Sequence, residues 1–484
     1  MGAQPHQPPD NYHTMHSPLS GIIRREPVSV APQVSVRNVL QIMDRDAIGS
    51  IVIADPETRI PLGIFTLQDL LRRIALLNGD LEQPISNVMT RGLVTLEPQA
   101  TAYQATLMMA RHGLRHILVV DEHGRLVGIV SQNDLFSLQR IGIKEISNEI
   151  AEAQDIDVLI SAAADIRRLA DSMLAQGIGA EQLTHFISTL NDLLTLRIIE
   201  LTRAEFDLPS ARWCWIALGS EGRFEQTFTT DQDNAIVFES GDEDAERTRQ
   251  QFLPFARAVN RKLDACGFLL CKGNIMAGNP MWCMSLNEWR RKFSGWIDTP
   301  QPTALLFASI FFDFRPLYGE HDLTSALRNW MLQACASNSL FLRQMAENAL
   351  QFRPPLGVFR DFAVTKSGEF ANTIDLKMVG LWPFINTARI FSLAHRIPET
   401  NTVRRLQAVS EKMNFPDGAI AAAIDSFYYI QRLRLRHQHS LQGVAAGANR
   451  IDPDTLNPLD RQILKETFKQ ARHLQNRLAL EYQL

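Results

Sequence analysis

The chain has 484 residues, 45% hydrophobic and 21% charged, with 49 Lys+Arg against 53 Asp+Glu for a net charge of −4. At ~100–200 residues per domain this length predicts two to four domains, and the composition excludes collagen-like, wholly disordered and disulfide-dense chains. The charge balance argues against a global nucleic-acid or membrane-surface binder, leaving room for a local basic groove.

The longest apolar runs, such as 303–312, are about half of the ~20 residues that a membrane helix needs. Five cysteines, odd in number and without C-x-x-C spacing, predict buried thiols in a reducing cytoplasm ahead of a zinc site. Residues 1–20 hold four prolines and three histidines but no Lys or Arg. They predict a disordered tail, neither a secretory signal nor a transit peptide.

A duplication follows. One copy spans 22–74 and the other 85–138. Each opens on a short extended piece, PVSV at 27–30 and LVTL at 93–96. A helical pattern comes next, carrying Val36, Val39, Leu40 and Met43 in one copy and Ala105, Leu107, Met108 and Met109 in the other. Then come β-rich runs, SIVIAD at 50–55 and HILVVD at 116–121, and a second strand with a helix start, LGIFTLQDLL at 62–71 and VGIVSQNDLF at 127–136. Strand alternation and turn residues predict a β-α-β-β-α unit, twice.

Both copies end in G-h-h-[ST]-x-x-D, Gly63 to Asp69 and Gly128 to Asp134. Thr66 and Ser131 fall at N-caps, with Asp69 and Asp134 three residues on, so helix capping accounts for either copy alone. Two copies in matching units are more specific. Residues 21–140 resemble a tandem pair of CBS domains, the cystathionine-β-synthase module. The resemblance implies that Thr66 and Ser131 contact phosphate and that Asp69 and Asp134 hold ribose hydroxyls of an adenine nucleotide (AMP, ADP or ATP). A carboxylate accepting from two hydroxyls beside a helix N-terminus suits that ligand. Association into a homodimer is also implied.

From 141 to 208 the apolar residues Ile156, Val158, Leu159, Ile166, Leu169, Met173 and Leu174 recur at helical spacing. They predict a connector of two or three helices.

Residues 213–238 read WCWIALGSEGRFEQTFTTDQDNAIVF. Trp213 to Leu218 predicts a strand ending in Gly219-Ser220. Asp231-Gln232-Asp233 opens a second strand over Asn234 to Phe238. Residues i and i+2 share a strand face, so Asp231 and Asp233 project two carboxylates side by side. Such a pair repels itself unless a cation sits between, and oxygen ligands suit Mg²⁺ or Mn²⁺. The Gly-Ser turn lets backbone approach a phosphate chain, and Arg223 could add a bidentate contact. Glu221, Glu225 and Gln226 are read as a solvated turn.

This pattern of G-S, ten residues, then D-x-D resembles the nucleotidyltransferase superfamily, in the branch of the uridylyl- and adenylyltransferases of nitrogen regulation. Leu218 to Ala235 is most similar to bacterial proteins that join a CBS pair to a nucleotidyltransferase-like domain and a helical C-terminal domain. The resemblance implies catalytic, metal-holding aspartates Asp231 and Asp233, a triphosphate cradle at Gly219, Ser220 and Arg223, and a third carboxylate on a later strand. Asp313, within Ser309 to Arg315, is the candidate. A charge in an apolar β-like run is costly unless paired or metal-bound, and an Asp313–Arg315 pair on one strand face is the alternative.

From Asp322 the sequence predicts helices. Asp375-Leu376-Lys377, Trp382-Pro383 and Arg389 resemble the family's substrate-binding-like domain. Arg432, Arg434, Arg436, His437 and His439 form a basic cluster, read as a solvated helix face or as a phosphate or acceptor-protein contact.

The expected fold class is a multidomain combination of α/β and α+β parts. After the 1–20 tail come a CBS pair (21–140), a connector (141–208), a mixed-sheet nucleotidyltransferase core (209–321) and an all-α C-terminal domain (322–484). The expected function is metal-dependent transfer of a nucleoside monophosphate from ATP or UTP to an acceptor hydroxyl, on a cytoplasmic protein with no membrane or nucleic-acid partner. The alternative is a non-catalytic nucleotide-sensing scaffold.

Overall fold

The computed structural model describes the chain except residues 1–16, 24–25, 47, 78, 242, 358–361, 365–369, 417 and 442–446, and the side chains of 133 and 136–141. It divides into two compact units, 1–145 and 146–484.

In the first unit a helical turn, α1 (Leu19–Ile22), precedes the repeat. The first copy is β1 (Ser29–Val30), α2 (Val36–Arg45), β2 (Ser50–Ala54), β3 (Pro61–Thr66) and α3 (Leu67–Asp69), running on as a π-helical turn over Leu70–Ala75. The second is β4 (Thr95–Leu96), α4 (Ala102–His112), β5 (His116–Val120), β6 (Leu126–Ser131) and α5 (Gln132–Glu152). In each copy the first strand pairs parallel with the second and the last pairs antiparallel with it, as the repeat predicts. One boundary moves. Leu19 and Ile22 are buried in the core of the second copy, and Leu19 N–H donates to the Ala100 carbonyl at 2.8 Å. Residues 17–20 therefore belong to the fold, and the rest of the expected tail, 1–16, lies outside the described residues.

The second unit begins in the last turns of α5 and continues through α6 (Ile156–Ala175) and α7 (Ala180–Arg203). Then come β7 (Trp213–Ala217), α8 (Gly219–Gly222), β8 (Asn234–Phe238), α9 (Ala245–Ala265), β9 (Cys283–Ser285), α10 (Leu286–Asp298), α11 (Pro302–Phe311) and β10 (Arg315–Gly319). The remainder is α12 (His321–Ala336), α13 (Ser339–Ala349), β11 (Ile374–Asp375), a π-helical turn over Leu376–Leu381, α14 (Trp382–Ala394), α15 (Thr402–Met413), α16 (Ala419–Ser440), β12 (Arg450–Ile451) and α17 (Pro458–Tyr482).

Four strands form a mixed sheet in the order β10-β7-β8-β9, parallel only between β8 and β9. Its central strands are buried on both faces, which explains their near-continuous apolar runs. Trp213, Trp215, Ile236 and Phe238 face one core, shared with α6, α7 and α9. Cys214, Ile216, Ala235 and Val237 face the other, shared with α10 to α13. Burying each such large apolar side chain contributes roughly 1.5–3 kcal/mol. The helices of 141–208 thus cover one face of the sheet and are part of the core rather than a connector between domains.

Two further expectations change. Residues 302–311 form a helix, with Pro302 at its first turn, where a missing N–H costs nothing. A run apolar on every side carries no period to distinguish helix from strand. Asp313 therefore lies in the turn between α11 and β10, not on a strand. The C-terminal domain is helical except for a two-stranded ribbon, where Ile374 pairs with Ile451 and Asp375 with Arg450.

Candidate functional site

The aspartate pair is oriented by its neighbours. Gln232 and Asn234 point into the protein: Gln232 Nε2 donates to the Asn260 and Phe268 carbonyls, both at 2.9 Å, and Asn260 Nδ2 donates to Asn234 Oδ1 at 3.0 Å. The intervening Asp231 and Asp233 project the other way. Asp231 is exposed and Asp233 partly buried. Burial, and then the charge of Asp231, push the Asp233 carboxyl above the usual range, opposed by Lys377, by a hydrogen bond from the Cys271 thiol and by Arg223. This is a carboxylate pair short of positive charge.

The Gly-Ser turn lies directly against it. Leu218 N–H donates to the Asp233 carbonyl at 2.9 Å. Gly219 has φ +54°, and a Cβ there would come within 2.7 Å of Asp233 Oδ2. Only glycine allows both the left-handed backbone and the close approach. The Ser220 hydroxyl forms no hydrogen bond among the described residues. At Gly222 a Cβ would meet the Asp313 carbonyl oxygen at 1.9 Å, so the turn is pressed against the segment before β10.

Asp313 and Arg223 do not occupy the roles the sequence suggests. Asp313 is fully buried, and both its oxygens are taken by arginines. Oδ1 accepts from Arg389 Nε at 3.0 Å and Arg405 Nη1 at 2.6 Å. Oδ2 accepts from Arg223 Nη1 at 2.7 Å and Arg389 Nη2 at 2.6 Å. Burial alone would raise its pKa, but the three guanidinium groups pull it far below the ordinary carboxylate range. A carboxylate so saturated has no lone pair directed at a metal, so Asp313 is a structural hub and not a third ligand. Arg315, its expected alternative partner, pairs with Asp192 at 2.6 Å. Arg223 is likewise buried, with Nε on Glu225 at 2.7 Å, and holds the loop instead of presenting a fork to solvent.

The hub fastens the loop to the C-terminal domain. Arg389 lies on α14 and Arg405 on α15. Just before α15, Thr400 Oγ1 donates to the Gly222 carbonyl at 2.7 Å and Asn401 Nδ2 to the Arg223 carbonyl at 3.0 Å. Thr402 N–H donates to Glu225 Oε1 at 2.8 Å. Phe224, inside this loop, holds a left-handed backbone (φ 57°) with Arg315 over its ring at 3.8 Å.

Glu221, Glu225 and Gln226 are buried, correcting the reading of a solvated turn. Burial first, then Asp192 and Asp233, push Glu221 up to about 8.

The sequence placed Lys377 in the stretch that resembles a substrate-binding-like domain and Arg434 in the basic cluster, read as a solvated helix face or as a phosphate or acceptor-protein contact. Lys377 sits on the π-helical turn, whose start is capped by Asp375 Oδ1 accepting from the Lys377 and Met378 N–H groups at 3.0 and 2.9 Å. Arg434 points inward from α16, its Nε on Asn449 Oδ1 at 2.5 Å. Burial lowers the pKa of both, opposed at Lys377 by the charges of Asp231 and Asp233 and at Arg434 by Asp375 and then Asp231. The basic cluster therefore splits by helical phase. Arg434 is buried, Arg436 reaches Asp460 at 3.4 Å, and His439 pairs with Asp171 at 2.8 Å.

In the first unit, Thr66, Asp69, Arg72, Arg73, Arg115 and Ser131 line part of a cavity of 770 Å³. Thr66 and Asp69 form a reciprocal capping box, with Thr66 N–H on Asp69 Oδ2 at 3.0 Å. Ser131 and Asp134 repeat the arrangement, with Ser131 N–H on Asp134 Oδ2 at 2.7 Å and Asp134 N–H on Ser131 Oγ at 3.1 Å. Asp134 is exposed and does not line the cavity. Among the described residues the cysteines are free, and no group of three or more His, Cys, Asp or Glu is arranged to hold a metal. No described helix is long and apolar enough to cross a membrane.

Fold and site together define a nucleotidyltransferase-type domain with a paired-aspartate strand, preceded by two CBS modules. The family models agree. The CBS domain matches 19–76 and 85–140, "Putative nucleotidyltransferase DUF294" matches 164–303, and "Putative nucleotidyltransferase substrate binding domain" matches 339–482. The chain belongs to the proteins that join a CBS pair to this DUF294 domain and its C-terminal substrate-binding domain.

Curated relatives match about a quarter of the chain. An uncharacterized protein of Methanopyrus kandleri is 25% identical over 28% of this chain and 68% of its own length. A CBS domain-containing protein of Bacillus subtilis is 29% identical over 25% and 81%. Among solved structures, a conserved protein from Pyrococcus horikoshii is 28% identical over 26% of this chain and 95% of that one, TM-score 0.25. A CBS domain protein from Pyrobaculum aerophilum complexed with AMP is 27% identical over 24% and 89%, TM-score 0.23.

Proposed function

We propose that this protein is a metal-dependent nucleotidyltransferase that moves a nucleoside monophosphate from ATP or UTP to an acceptor hydroxyl, with a protein as acceptor. The observation that carries the reading is the Asp231–Asp233 pair against the positive-φ turn at Gly219, where backbone and carboxylate approach as only glycine permits. The donor set fits a divalent ion of the Mg²⁺ or Mn²⁺ kind, because such ions take one or two protein carboxylates and complete their coordination with phosphate oxygens and water. Asp231 and Asp233 would hold it, and it would supply charge neutralisation at the transferring phosphoryl group and a lowered pKa for the attacking hydroxyl. Gly219 and the free Ser220 hydroxyl would receive the phosphate chain.

In this reading the first unit binds an adenine nucleotide in the 770 Å³ cavity, with Thr66, Asp69 and Ser131 as contacts. Asp134 acts through Ser131. The chain works in the cytoplasm as a homodimer.

One observation favours a second reading. With Asp313 sealed by arginines, no third carboxylate joins the acidic pair to hold a metal among the described residues, as in a domain that binds nucleotide without turnover. Pyrophosphate release separates the two. Purified protein with Mn²⁺, ATP or UTP and a lysate as acceptor source yields pyrophosphate if the transferase reading holds. Mn²⁺-dependent nucleotide binding with no pyrophosphate in any condition identifies the scaffold.

A further inference from the structure

We infer that a cavity between α9 and the loop that follows it is a binding site for a small phosphate-bearing molecule, gripped by Arg257 and Arg261. The site is separate from the CBS cavity and from the aspartate pair, and it does not depend on the transferase reading.

The cavity measures 330 Å³. Arg257 and Arg261 line it from α9, and Leu270, Asn274 and Asn279 line it from the loop. The two arginines are four residues apart, so they stand one above the other on one helix face. Both are exposed. Arg257 engages one nitrogen, Nε donating to the Gly278 carbonyl at 3.1 Å. Arg261 forms no ion pair and no hydrogen bond among the described residues. No Asp or Glu lines the cavity. Asp264, the next acid along the helix, accepts from Leu270 N–H at 3.3 Å and pairs with neither arginine.

The walls are fixed by the protein itself. A Cβ at Gly278 would come within 2.9 Å of both Arg257 Cγ and Asn260 Oδ1, so glycine lets the loop backbone close on the helix. The buried Asn260 also lines the cavity. Its Oδ1 accepts from Gly278 N–H at 2.9 Å, and its Nδ2 donates to Gln232 Oε1 at 2.8 Å and Asn234 Oδ1 at 3.0 Å. Gln232 and Asn234 point away from the aspartate pair, which puts the cavity behind the segment that carries it. Within the loop, the Asn274 carbonyl accepts from Asn279 Nδ2 at 2.9 Å and Trp282 Nε1 at 3.0 Å.

Two like charges one helical turn apart, with no carboxylate between them, repel. An anion that accepts from both relieves the repulsion. Arg257 keeps both Nη groups for it and Arg261 its whole fork. Guanidinium forks match phosphate oxygens, and a doubly charged tetrahedral group accepts from two forks at once. A carboxylate brings two oxygens and one charge. The volume lies at the lower end of the ~300–1,000 Å³ of small-molecule sites, so the ligand is compact. Leu270, 46% exposed, offers an apolar wall to the carbon part of a phosphate ester.

The test is hydrogen–deuterium exchange of the full chain without divalent metal, read on peptides covering 266–282. The probes are inorganic phosphate, glycerol 3-phosphate and KCl at matched ionic strength. The reading is local, so phosphate held in the CBS cavity does not enter it. Both phosphates slow exchange in this segment about threefold or more, and KCl does not. Stronger protection by the ester at equal concentration supports an organic ligand, and equal protection supports the phosphate ion itself. Arg261→Gln melts at or above the wild-type temperature, because it removes a like charge, and loses most of the protection. Arg257→Gln/Arg261→Gln loses all of it. Full protection in the folded double variant, protection by KCl equal to that by phosphate, or no protection of the wild type by either phosphate overturns the assignment. Should the double variant not fold, Arg261→Gln alone carries the comparison, and unchanged protection there overturns it.

Discussion

Asp313 and Arg389, 76 residues apart, form a two-point ion pair in the interior, Oδ1 with Nε at 3.0 Å and Oδ2 with Nη2 at 2.6 Å. One partner precedes β10 of the sheet and the other lies on α14. With Arg223 and Arg405 they bind the Gly-Ser loop to the C-terminal domain. Removing one partner of a buried pair leaves an uncompensated charge, typically costing about 3–5 kcal/mol. Asp313→Asn leaves three buried arginines short of a carboxylate, and its thermal midpoint falls by several degrees. Added Mn²⁺ does not restore it. A variant of wild-type stability that has lost Mn²⁺ binding would instead make Asp313 a ligand.

The two loop glycines separate folding from function. Gly222→Ala drives a Cβ to 1.9 Å from a backbone oxygen that cannot move alone, and overpacking of this kind costs about 1–3 kcal/mol or more. Gly219→Ala meets a side-chain oxygen at 2.7 Å, which rotates away, leaving a left-handed alanine at a cost of about 1–2 kcal/mol. Thermal melts therefore show the larger drop for Gly222→Ala. Mn²⁺-dependent nucleotide titrations show at least a tenfold loss for Gly219→Ala in protein that is still folded.

Glu221 gives the unit an acid-favouring pH dependence. Its folded pKa, about 8, stands above its unfolded value near 4.5, so between those pH values the native state holds a proton that the unfolded chain releases. Its contribution to stability falls as pH rises through that window. Asp313 has the opposite sign, stabilising above its unfolded pKa and failing only in strong acid. Glu221→Gln keeps the neutral shape, so its melting temperature matches wild type near pH 5 and exceeds it by several degrees at pH 8. Parallel curves across that range contradict the assignment.

The first unit answers to phosphate. Asp69→Ala removes half of the capping box and a cavity-lining carboxylate. Arg72→Ala/Arg115→Ala removes two of the cavity's cations. Titration of the full chain with AMP, without metal, shows at least a tenfold weaker affinity for each variant, and the Asp231→Asn/Asp233→Asn protein binds AMP as wild type does. Unchanged AMP affinity in both cavity variants places the ligand elsewhere.

What could be read in the sequence was what is local. The duplicated strand patterns and the hydroxyl–Asp spacing at Thr66 and Ser131 predicted both CBS modules, because capping and pleat alternation act over a few residues. The i, i+2 rule correctly turned Asp231 and Asp233 to one side, with Gln232 and Asn234 fixed on the other. The partners of Asp313 lie 76 to 92 residues away, and nothing near it signals them. Arg434 continues the buried stripe of Ala423, Phe427 and Ile430 on α16, a helical-phase signal that the basic neighbours Arg432 and Arg436 obscured. Glu221 looked like a surface residue because the groups around it, Asp192 on α7 and Arg315 on β10, lie far from it in sequence.

The central claim is that a nucleoside monophosphate is transferred, and the position of the radiolabel tests it most directly. The purified protein is incubated with Mn²⁺ and a lysate, using ATP or UTP labelled at the α- or the γ-phosphate, in parallel with Asp231→Asn/Asp233→Asn. The account predicts protein-bound label from the α-labelled nucleotide only, absent in the variant. Label from the γ-phosphate, or α-label equal in wild type and variant, would contradict it.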